Sequence, residues 1–170
     1  MEETKKKLKV YCETSFFSYL TGKKTPIAAI AMRQALTLEW WEEEATSCDL
    51  FVSEYVLREA ARGEPEQARL RLEAIRGISE VNGSLPEIVE LAKKLLDEHA
   101  VPQTEVMDAY HIATAAVHGM DVLLTWNCKH MANRFALPRT ISVVAKAGYA
   151  CPAIVTPEDY MKENLDEQSV

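Results

Sequence analysis

Four side chains of types that bind cations are spread widely along this chain: Glu13, Glu59, Asp108 and Asn127. Glu13 and Asn127 each end an apolar run, whereas Glu59 and Asp108 lie near the start of helical stretches. Oxygen ligands of this kind, without the Cys or His spacing of a zinc site, are those that Mg²⁺ and Mn²⁺ prefer. Three carboxylates brought together also repel one another, so they cannot all stay ionised at neutral pH without a cation. These residues therefore indicate a divalent-cation site, if the fold gathers them.

The elements predicted around these residues place them at one edge of a sheet. Apolar stretches predict strands at 8–12, 50–52, 78–81, 121–126 and 153–155, and helical periodicity predicts helices between them. Strands that alternate with helices indicate an α/β fold, a three-layer α/β/α sandwich with a mainly parallel sheet. Ligands bind outside the carboxyl ends of the strands in such sheets. All four side chains are expected at that edge.

The helices are predicted from apolar spacing and from helix-breaking residues. Ser53 is the expected N-cap of the second helix, and Gly119 is expected to stop the helix that carries Asp108. The predicted helices cover 27–45, the stretch from 54 to Gly63, 65–75, 86–96, 105–118 and a segment that starts after Asn127 and ends near Gly148.

Each of these residues also has a structural interpretation. An acid in a first helical turn is favourable through the helix dipole alone, which applies to Glu59 and Asp108. Asn127 could simply cap the next helix. Glu54 competes with Glu59 for the site, since the two lie about 140° apart on a helix and only one can face it. Glu13 is harder to dismiss, because burying an unpaired Glu after an apolar strand is costly.

The composition indicates a single domain. The 170 residues, 48% of them hydrophobic, suffice for a substantial core. We assign residues 1–160 to this domain and 161–170 to a loose acidic tail. The apolar runs are far shorter than a membrane span needs, and the charged N-terminus has no signal-peptide pattern. We therefore expect a cytoplasmic protein without membrane association.

The net charge and the cysteine spacing narrow the functional classes that fit this chain. A net charge of −7 argues against a large basic face for nucleic acid, although a local basic rim would remain compatible. The four cysteines lack metal-type spacing and are expected to be reduced, mostly buried thiols. The sequence also has no G-x-x-x-x-G-K-[ST], G-x-G-x-x-G or G-x-S-x-G motif, so phosphate-loop and serine-hydrolase functions lack support.

Over nearly its whole length the chain resembles the PIN-domain ribonucleases, especially the toxins of bacterial VapBC toxin–antitoxin pairs. The strongest segments are Asp108-Ala109-Tyr110-His111-Ile112-Ala113 and Asp121-Val122-Leu123-Leu124-Thr125-Trp126-Asn127. The resemblance implies that Glu13, Glu59 and Asp108 hold Mg²⁺ or Mn²⁺. It also implies that Asn127 positions a second ion, a water or the phosphate. Two positions depart from the family pattern, since most members have Asp in place of Glu13 and many have Asp in place of Asn127.

The resemblance implies metal-dependent hydrolysis of single-stranded RNA, leaving a 5′-phosphate and a 3′-hydroxyl. Thr14, Ser15 and Thr125 are expected to donate hydrogen bonds to the carboxylates or to the phosphate. Basic residues at the same edge could guide the RNA backbone, namely Lys23, Lys24, Lys129, His130, Arg134 and Arg139. The expected partners are an antitoxin protein and a second copy of the chain in a homodimer. A surface of Phe16, Met32, Leu36, Trp40 and Trp41 is one candidate for these contacts, with core packing as its alternative.

Two other functions stay open at this point. The first is a catalytically weak PIN-like module that binds RNA or a protein partner without cleavage, which Asn127 and the acidic composition favour. The second is a small phosphatase-like or nucleotide-binding α/β domain, which the missing phosphate loop disfavours. His111, three residues after Asp108, is expected to be a partly buried helix residue without a role in the site.

Overall fold

The computed structural model describes residues 6–168, with side chains described from 6 to 163. Its strands are β1 (Leu8–Cys12), β2 (Cys48–Ser53), β3 (Ser79–Val81), β4 (Val122–Leu124) and β5 (Ala153–Val155). Its α-helices are α1 (Thr14–Leu20), α2 (Ala28–Glu43), α3 (Glu54–Ala60), α4 (Pro65–Ile75), α5 (Pro86–Asp97), α6 (Val106–Val117), α7 (Leu137–Lys146) and α8 (Pro157–Gln168). A short 3₁₀ turn, Ala45–Ser47, precedes β2.

The five strands form one parallel sheet in the order β3-β2-β1-β4-β5. Strand β1 lies at its centre, with Val10 opposite Leu50 of β2 and opposite Val122 of β4. The carboxyl ends of β1, β2 and β4 therefore lie side by side. The backbone N–H of Glu13 continues the ladder by donating to the carbonyl of Leu124 at 3.0 Å. The predicted mainly parallel sheet is confirmed.

The helices pack in two groups. In the first group, α1 contacts α2, α3 and α4, α3 contacts α4, and α2 contacts α8. In the second group, α5 contacts both α6 and α7. This is the arrangement of an α/β sandwich, in which each group covers one face of a parallel sheet so that the strands are buried on both sides.

Core packing, the alternative expected for the candidate contact surface, holds for two of its five residues, Phe16 and Trp40. Phe16 and Trp40 are fully buried, and their rings meet edge to face with centroids 5.4 Å apart. Trp40 also meets Tyr160 of α8 at 5.5 Å. The two rings therefore hold α1, α2 and α8 together and are not available to a partner, whereas Met32 on the outer side of α2 is exposed.

Helix α1 is absent from the sequence prediction. Its residues, Thr-Ser-Phe-Phe-Ser-Tyr-Leu, are mostly poor helix formers. Glu13 supplies the missing signal, because its carboxylate accepts a hydrogen bond from the backbone N–H of Ser15 and so caps the helix. Burial of Phe16 and Phe17 then stabilises a helix that local propensity does not predict.

The helix predicted directly after Asn127 is wrong at its start. A series of turns separates Asn127 from α7, which begins at Leu137. The side-chain oxygens of Asn127 and Asn133 accept hydrogen bonds from nearby backbone N–H groups, at His130 and Phe135 respectively. Such side-chain bonds compete with a continuous helix.

The expected cap of α3 differs from the structure, and the domain bounds of 1–160 stay a prediction. Ser53 precedes α3 but its side chain makes no capping hydrogen bond, because its hydroxyl pairs with Tyr11. Helix α8 extends to Gln168, so the expected domain end at residue 160 falls inside a helix. The loose acidic tail at 161–170 lies partly outside the described residues and stays a prediction.

All four cysteines have free thiols. Cys12 and Cys48 are buried, Cys151 is half-buried and Cys128 is exposed. Within residues 6–168, none of the helices has the length and apolar character that crossing a membrane requires.

Candidate active site

The parallel sheet brings the predicted site residues to its carboxyl edge. Glu13 follows β1, and Asn127 lies three residues beyond the end of β4. Asp108 lies in the first turn of α6, and Glu59 lies near the end of α3. The contacts described below link these four side chains into one connected group.

Glu13 is held by three donors on a single oxygen. Its Oε2 accepts hydrogen bonds from Ser15 N at 3.1 Å, Ser15 Oγ at 2.5 Å and Thr125 Oγ1 at 2.8 Å. The side chain is 7% exposed. These three donors fix the orientation of the buried carboxylate of Glu13.

Glu59 is held by donors from α1 and α6. Its Oε1 accepts hydrogen bonds from Thr14 Oγ1 at 3.0 Å and from His111 Nε2 at 2.5 Å. Burial alone would raise the pKa of Glu59, but the hydrogen bond and the charge of His111 outweigh it and lower this pKa. Glu59 is therefore ionised at neutral pH.

Glu54, the other acid of α3 considered for the site, binds the loop after β3 instead. Its two oxygens accept hydrogen bonds from Gly83 N at 2.8 Å and from Ser84 Oγ at 2.6 Å. These bonds tie the start of α3 to the loop after β3. Glu59, and not Glu54, therefore lies beside Glu13 and His111.

His111 belongs to a buried hydrogen-bonded chain that begins in the sheet. The phenol of Tyr11 lies 2.8 Å from Ser53 Oγ and 2.8 Å from His111 Nδ1. Tyr11 is fully buried and His111 is 1% exposed. Because Glu59 is ionised, the Nε2–H of His111 donates to it whether the ring is neutral or charged. Burial would lower the pKa of His111, but the hydrogen bond to Glu59 and the surrounding carboxylates raise it.

Asp108 and Asn127 form a second hydrogen-bonded pair. Asn127 Nδ2 donates to Asp108 Oδ2 at 3.0 Å, while Asn127 Oδ1 accepts from His130 N at 3.0 Å. Burial is the main cause that raises the pKa of Asp108 to about 6, and the charge of Glu13 adds to it. Asp108 therefore ionises less readily than Glu59, whose pKa is lowered.

The three carboxylates share one property that suits a cation. Each has one oxygen engaged by protein donors and one, Glu13 Oε1, Glu59 Oε2 or Asp108 Oδ1, that accepts no hydrogen bond from the described residues. Glu13, Glu59 and His111 also offer ligand atoms within 4.8 Å of one another, and they form the one such group of His, Cys, Asp or Glu among the described side chains. Asp108 is not among the residues that meet this 4.8 Å limit, although the charge of Glu13 helps to raise its pKa. The donor set fits a hard divalent cation.

The predicted hydroxyl residues serve the carboxylates. Thr14 donates to Glu59, whereas Ser15 and Thr125 both donate to Glu13. Ser15 Oγ also accepts from Trp126 N, and Thr125 Oγ1 accepts from Asn127 N. These hydroxyls were expected to donate to the carboxylates or to the phosphate, and in the structure they donate to the carboxylates. A contact of any of them with substrate stays a prediction.

The basic residues expected along this edge are in varied environments. Lys129, Lys24 and Arg134 are exposed. Lys23 lies 3.6 Å from Glu64, and His130 lies 3.7 Å from Glu105. Arg139 Nη1 lies 3.4 Å from the carbonyl of His99. Their role in guiding RNA stays a prediction.

His111 and Tyr11 are the site residues that sequence reasoning missed. The usable signal was the spacing of Asp108 and His111, because residues three apart share a helix face. Tyr11 carried no such signal, since a tyrosine in a predicted buried strand is indistinguishable from ordinary core. Its phenol, however, needs a buried partner.

The chain is similar to a known protein family. The family model of the PIN domain matches residues 10–128. No curated protein sequence matches the chain.

Two solved structures share the fold. VapBC2 from Rickettsia felis, solved bound to a DNA fragment from its promoter, superposes with a TM-score of 0.56 at 13% identity, covering 88% of this chain and 98% of that one. VapC20 from Mycobacterium tuberculosis, a toxin that cleaves the sarcin–ricin loop, superposes with a TM-score of 0.55 at 19% identity, covering 74% of this chain and 95% of that one. At these identities the likeness concerns the fold.

Proposed function

Because this chain belongs to the PIN-domain family, we propose that it is a metal-dependent endoribonuclease that hydrolyses phosphodiester bonds of single-stranded RNA. The observation that carries the proposal is the set of three carboxylates, each with one oxygen held by protein donors and the other without a hydrogen bond from the described residues. Such a set is arranged before any ligand arrives, so binding a cation requires little rearrangement.

Glu13, Glu59 and Asp108 would hold Mg²⁺ or Mn²⁺. The bound cation would lower the pKa of a water molecule and neutralise charge on the phosphoryl oxygens. The protein contributes orientation. Ser15 and Thr125 hold the carboxylate of Glu13, and Thr14 with His111 holds that of Glu59.

Asn127 orients the third carboxylate. Its amide donates to Asp108 Oδ2 and leaves Oδ1 without a hydrogen bond from the described residues. In this proposal Asn127 acts on the cation through Asp108, and whether it also positions a second ion, a water or the phosphate is part of the same hypothesis. A neutral amide at this position leaves the site one negative charge short of a four-carboxylate site, which favours a single cation.

A toxin role within a toxin–antitoxin pair is part of the proposal. The support is the fold shared with VapBC2 and VapC20 over most of this chain and nearly all of theirs. The proposed partners are an antitoxin protein and a second copy of the chain, and the proposed location is the cytoplasm.

Cleavage of a labelled single-stranded RNA pool tests the proposal. We expect cleavage by the wild type in Mn²⁺ or Mg²⁺, none with excess chelator and none for Asp108→Asn in either metal. Asp97→Asn is a matched control, because Asp97 lies on the exposed side of α5 in an ion pair with Lys93. Equal rates for wild type and Asp108→Asn would end the nuclease hypothesis.

The competing function is a module that binds RNA or a protein partner without cleaving. The observation that favours it is the amide of Asn127 beside Asp108 in place of a fourth carboxylate. The same assay separates the two functions, because a binding module would retain RNA without metal-dependent products.

A further inference from the structure

The guanidinium of Arg33 lies against two neighbouring aromatic rings, Tyr19 and Trp126. The guanidinium carbon of Arg33 lies 5.2 Å from the ring centroid of Trp126 and 5.6 Å from that of Tyr19. Its Nη1 also donates to the phenol oxygen of Tyr19 at 3.0 Å. Arg33 and Tyr19 are half-buried, and Trp126 is 6% exposed. The two rings therefore hold the side chain of Arg33 in one orientation.

The charge of Arg33 is not neutralised by any carboxylate among the described residues, where it forms no ion pair. Of the five N–H groups of its guanidinium, one has a hydrogen-bond acceptor there. Among the described arginines, Arg69 is the one that forms ion pairs, with Glu66 and Glu73, so Arg33 is set apart by its contacts with two rings and not by an unpaired charge alone.

Joining α2 to Trp126 does not require this charge. Trp126 Nε1 donates to Thr37 Oγ1 at 2.8 Å, and Thr37 Oγ1 in turn donates to the carbonyl of Arg33. These uncharged bonds already connect the helix to the residue that precedes Asn127. A purely structural role would therefore leave the positive charge and most of the guanidinium donors unused.

Two hydrogen bonds connect Trp126, whose ring Arg33 contacts, to the carboxylate group. Trp126 N donates to Ser15 Oγ at 2.8 Å, and Ser15 Oγ donates to Glu13. Tyr19 lies four residues after Ser15 and thus one turn along the same face of α1. The charge of Arg33 also acts to lower the pKa of Cys128, against the larger effect of burial. Arg33 is thus linked to the carboxylate group through Trp126 and Ser15, and it forms no ion pair with that group among the described residues.

We propose that Arg33 binds a backbone phosphate of single-stranded RNA, next to the phosphodiester that the carboxylates address. This inference rests on the proposed function. A guanidinium matches a phosphate with two parallel N–H···O bonds, and one already fixed by stacking loses less freedom on binding. Tyr19 and Trp126 position Arg33 in this arrangement.

RNA binding without cleavage tests this proposal apart from the nuclease activity. The affinity of a labelled single-stranded oligoribonucleotide is measured in chelator for Asp108→Asn alone, and with Arg33→Gln, Arg33→Lys or Arg69→Gln added. The last of these removes one positive charge from α4, so it controls for the net charge. Affinity is followed between low and moderate salt.

Loss of one phosphate contact has a defined signature. We expect Arg33→Gln to weaken binding about tenfold at low salt and to reduce the slope of log affinity against log salt by about 0.7. Arg33→Lys should retain the slope and weaken binding about threefold, because the charge stays and the two-bond geometry is lost. It also keeps the proposal testable if Arg33→Gln proves unstable in a thermal scan.

Unchanged affinity and slope for both Arg33 variants, relative to Arg69→Gln, would overturn the proposal and assign the charge to packing or to a protein partner. That outcome differs from a failure of the proposed function, which is absence of metal-dependent cleavage by the wild type.

Discussion

The side-chain amide of Asn127 faces Asp108 with its nitrogen, donating from Nδ2 to Oδ2 at 3.0 Å. The orientation is set by the other side of the amide, whose oxygen accepts the backbone N–H of His130. A flipped amide would place two donors against each other at His130 and two acceptors against each other at Asp108. Asn127 therefore meets the carboxylate group as a hydrogen-bond donor to Asp108.

The first prediction follows from this orientation. Asn127→Asp would replace a hydrogen bond with two carboxylates in contact, so we expect the metal-free protein to lose on the order of 1–2 kcal/mol of stability at pH 7. Mn²⁺ should restore more stability to this variant than to the wild type, and cleavage in Mg²⁺ should rise. Thermal scans and RNA cleavage with and without metal measure both effects. If Asn127 serves only to cap the following turn, Asn127→Asp will be nearly neutral, because Asp caps about as well as Asn.

The second prediction concerns the pH dependence of the metal-free protein. The pKa of Asp108 is raised from 3.8 to about 6, so its ionisation opposes folding increasingly as the pH rises through this interval. Asp108→Asn should therefore stabilise the metal-free protein by about 1–2 kcal/mol at pH 7, and by little below pH 4. Denaturant unfolding of both proteins at several pH values checks this. A stability difference that does not change with pH would contradict the assignment to Asp108.

The third prediction separates the two acids of α3. A divalent cation present at a hundredfold excess over its Kd stabilises a protein by about 2.7 kcal/mol. We expect Glu59→Gln to lose most of the Mn²⁺-dependent rise in Tm. Glu54→Gln is the matched control on the same helix. It should lower the basal Tm by weakening the bonds to Gly83 and Ser84, while the rise in Mn²⁺ is retained. The reverse pattern would make Glu54 the second acid.

The fourth prediction concerns the buried chain behind Glu59. Tyr11→Phe removes the hydrogen-bond partner of His111 Nδ1 and leaves the ring free to change its tautomer. Hydrogen-bond partners of a metal ligand typically affect metal affinity by about 10- to 100-fold. Tyr11 acts on the proposed ligand Glu59 through His111, so we expect an effect at the low end of this range, about a tenfold loss of Mn²⁺ affinity. Tyr160→Phe, which removes another buried phenol oxygen, should change stability without changing affinity. Calorimetric titration measures the Mn²⁺ affinity of both variants and of the wild type. If Tyr11→Phe binds Mn²⁺ as tightly as Tyr160→Phe and the wild type, Tyr11 serves only in packing.

The sheet and most helices could be predicted from the sequence, because buried parallel strands are short apolar runs and amphipathic helices keep a regular period. Strand β4 and helix α5 are recognisable in this way. Helix α1 was not, since it depends on the cap from Glu13 and on burial of Phe16 and Phe17, which are tertiary effects.

The candidate site was predictable in its residues but not in its connections. The edge rule for parallel sheets brings together Glu13, Glu59, Asp108 and Asn127 whatever their rotamers. Which oxygen of each carboxylate is occupied depends on hydroxyls and on His111, whose positions come from packing. The orientation of Asn127 depends on a turn that the sequence suggested would be a helix.

The central position of β1 has a consequence for synthesis of the chain. Strand β1 is made first, yet it pairs with β2 at residues 48–51 and with β4 at 122–124. Until β4 has left the ribosome, one edge of β1 lacks its partner and Asn127 is not yet present to orient Asp108. The three carboxylates can therefore come together in this arrangement only after residues 122–124 have been made. If the chain cleaves RNA as proposed, a nascent chain that ends before β4 would lack the assembled site.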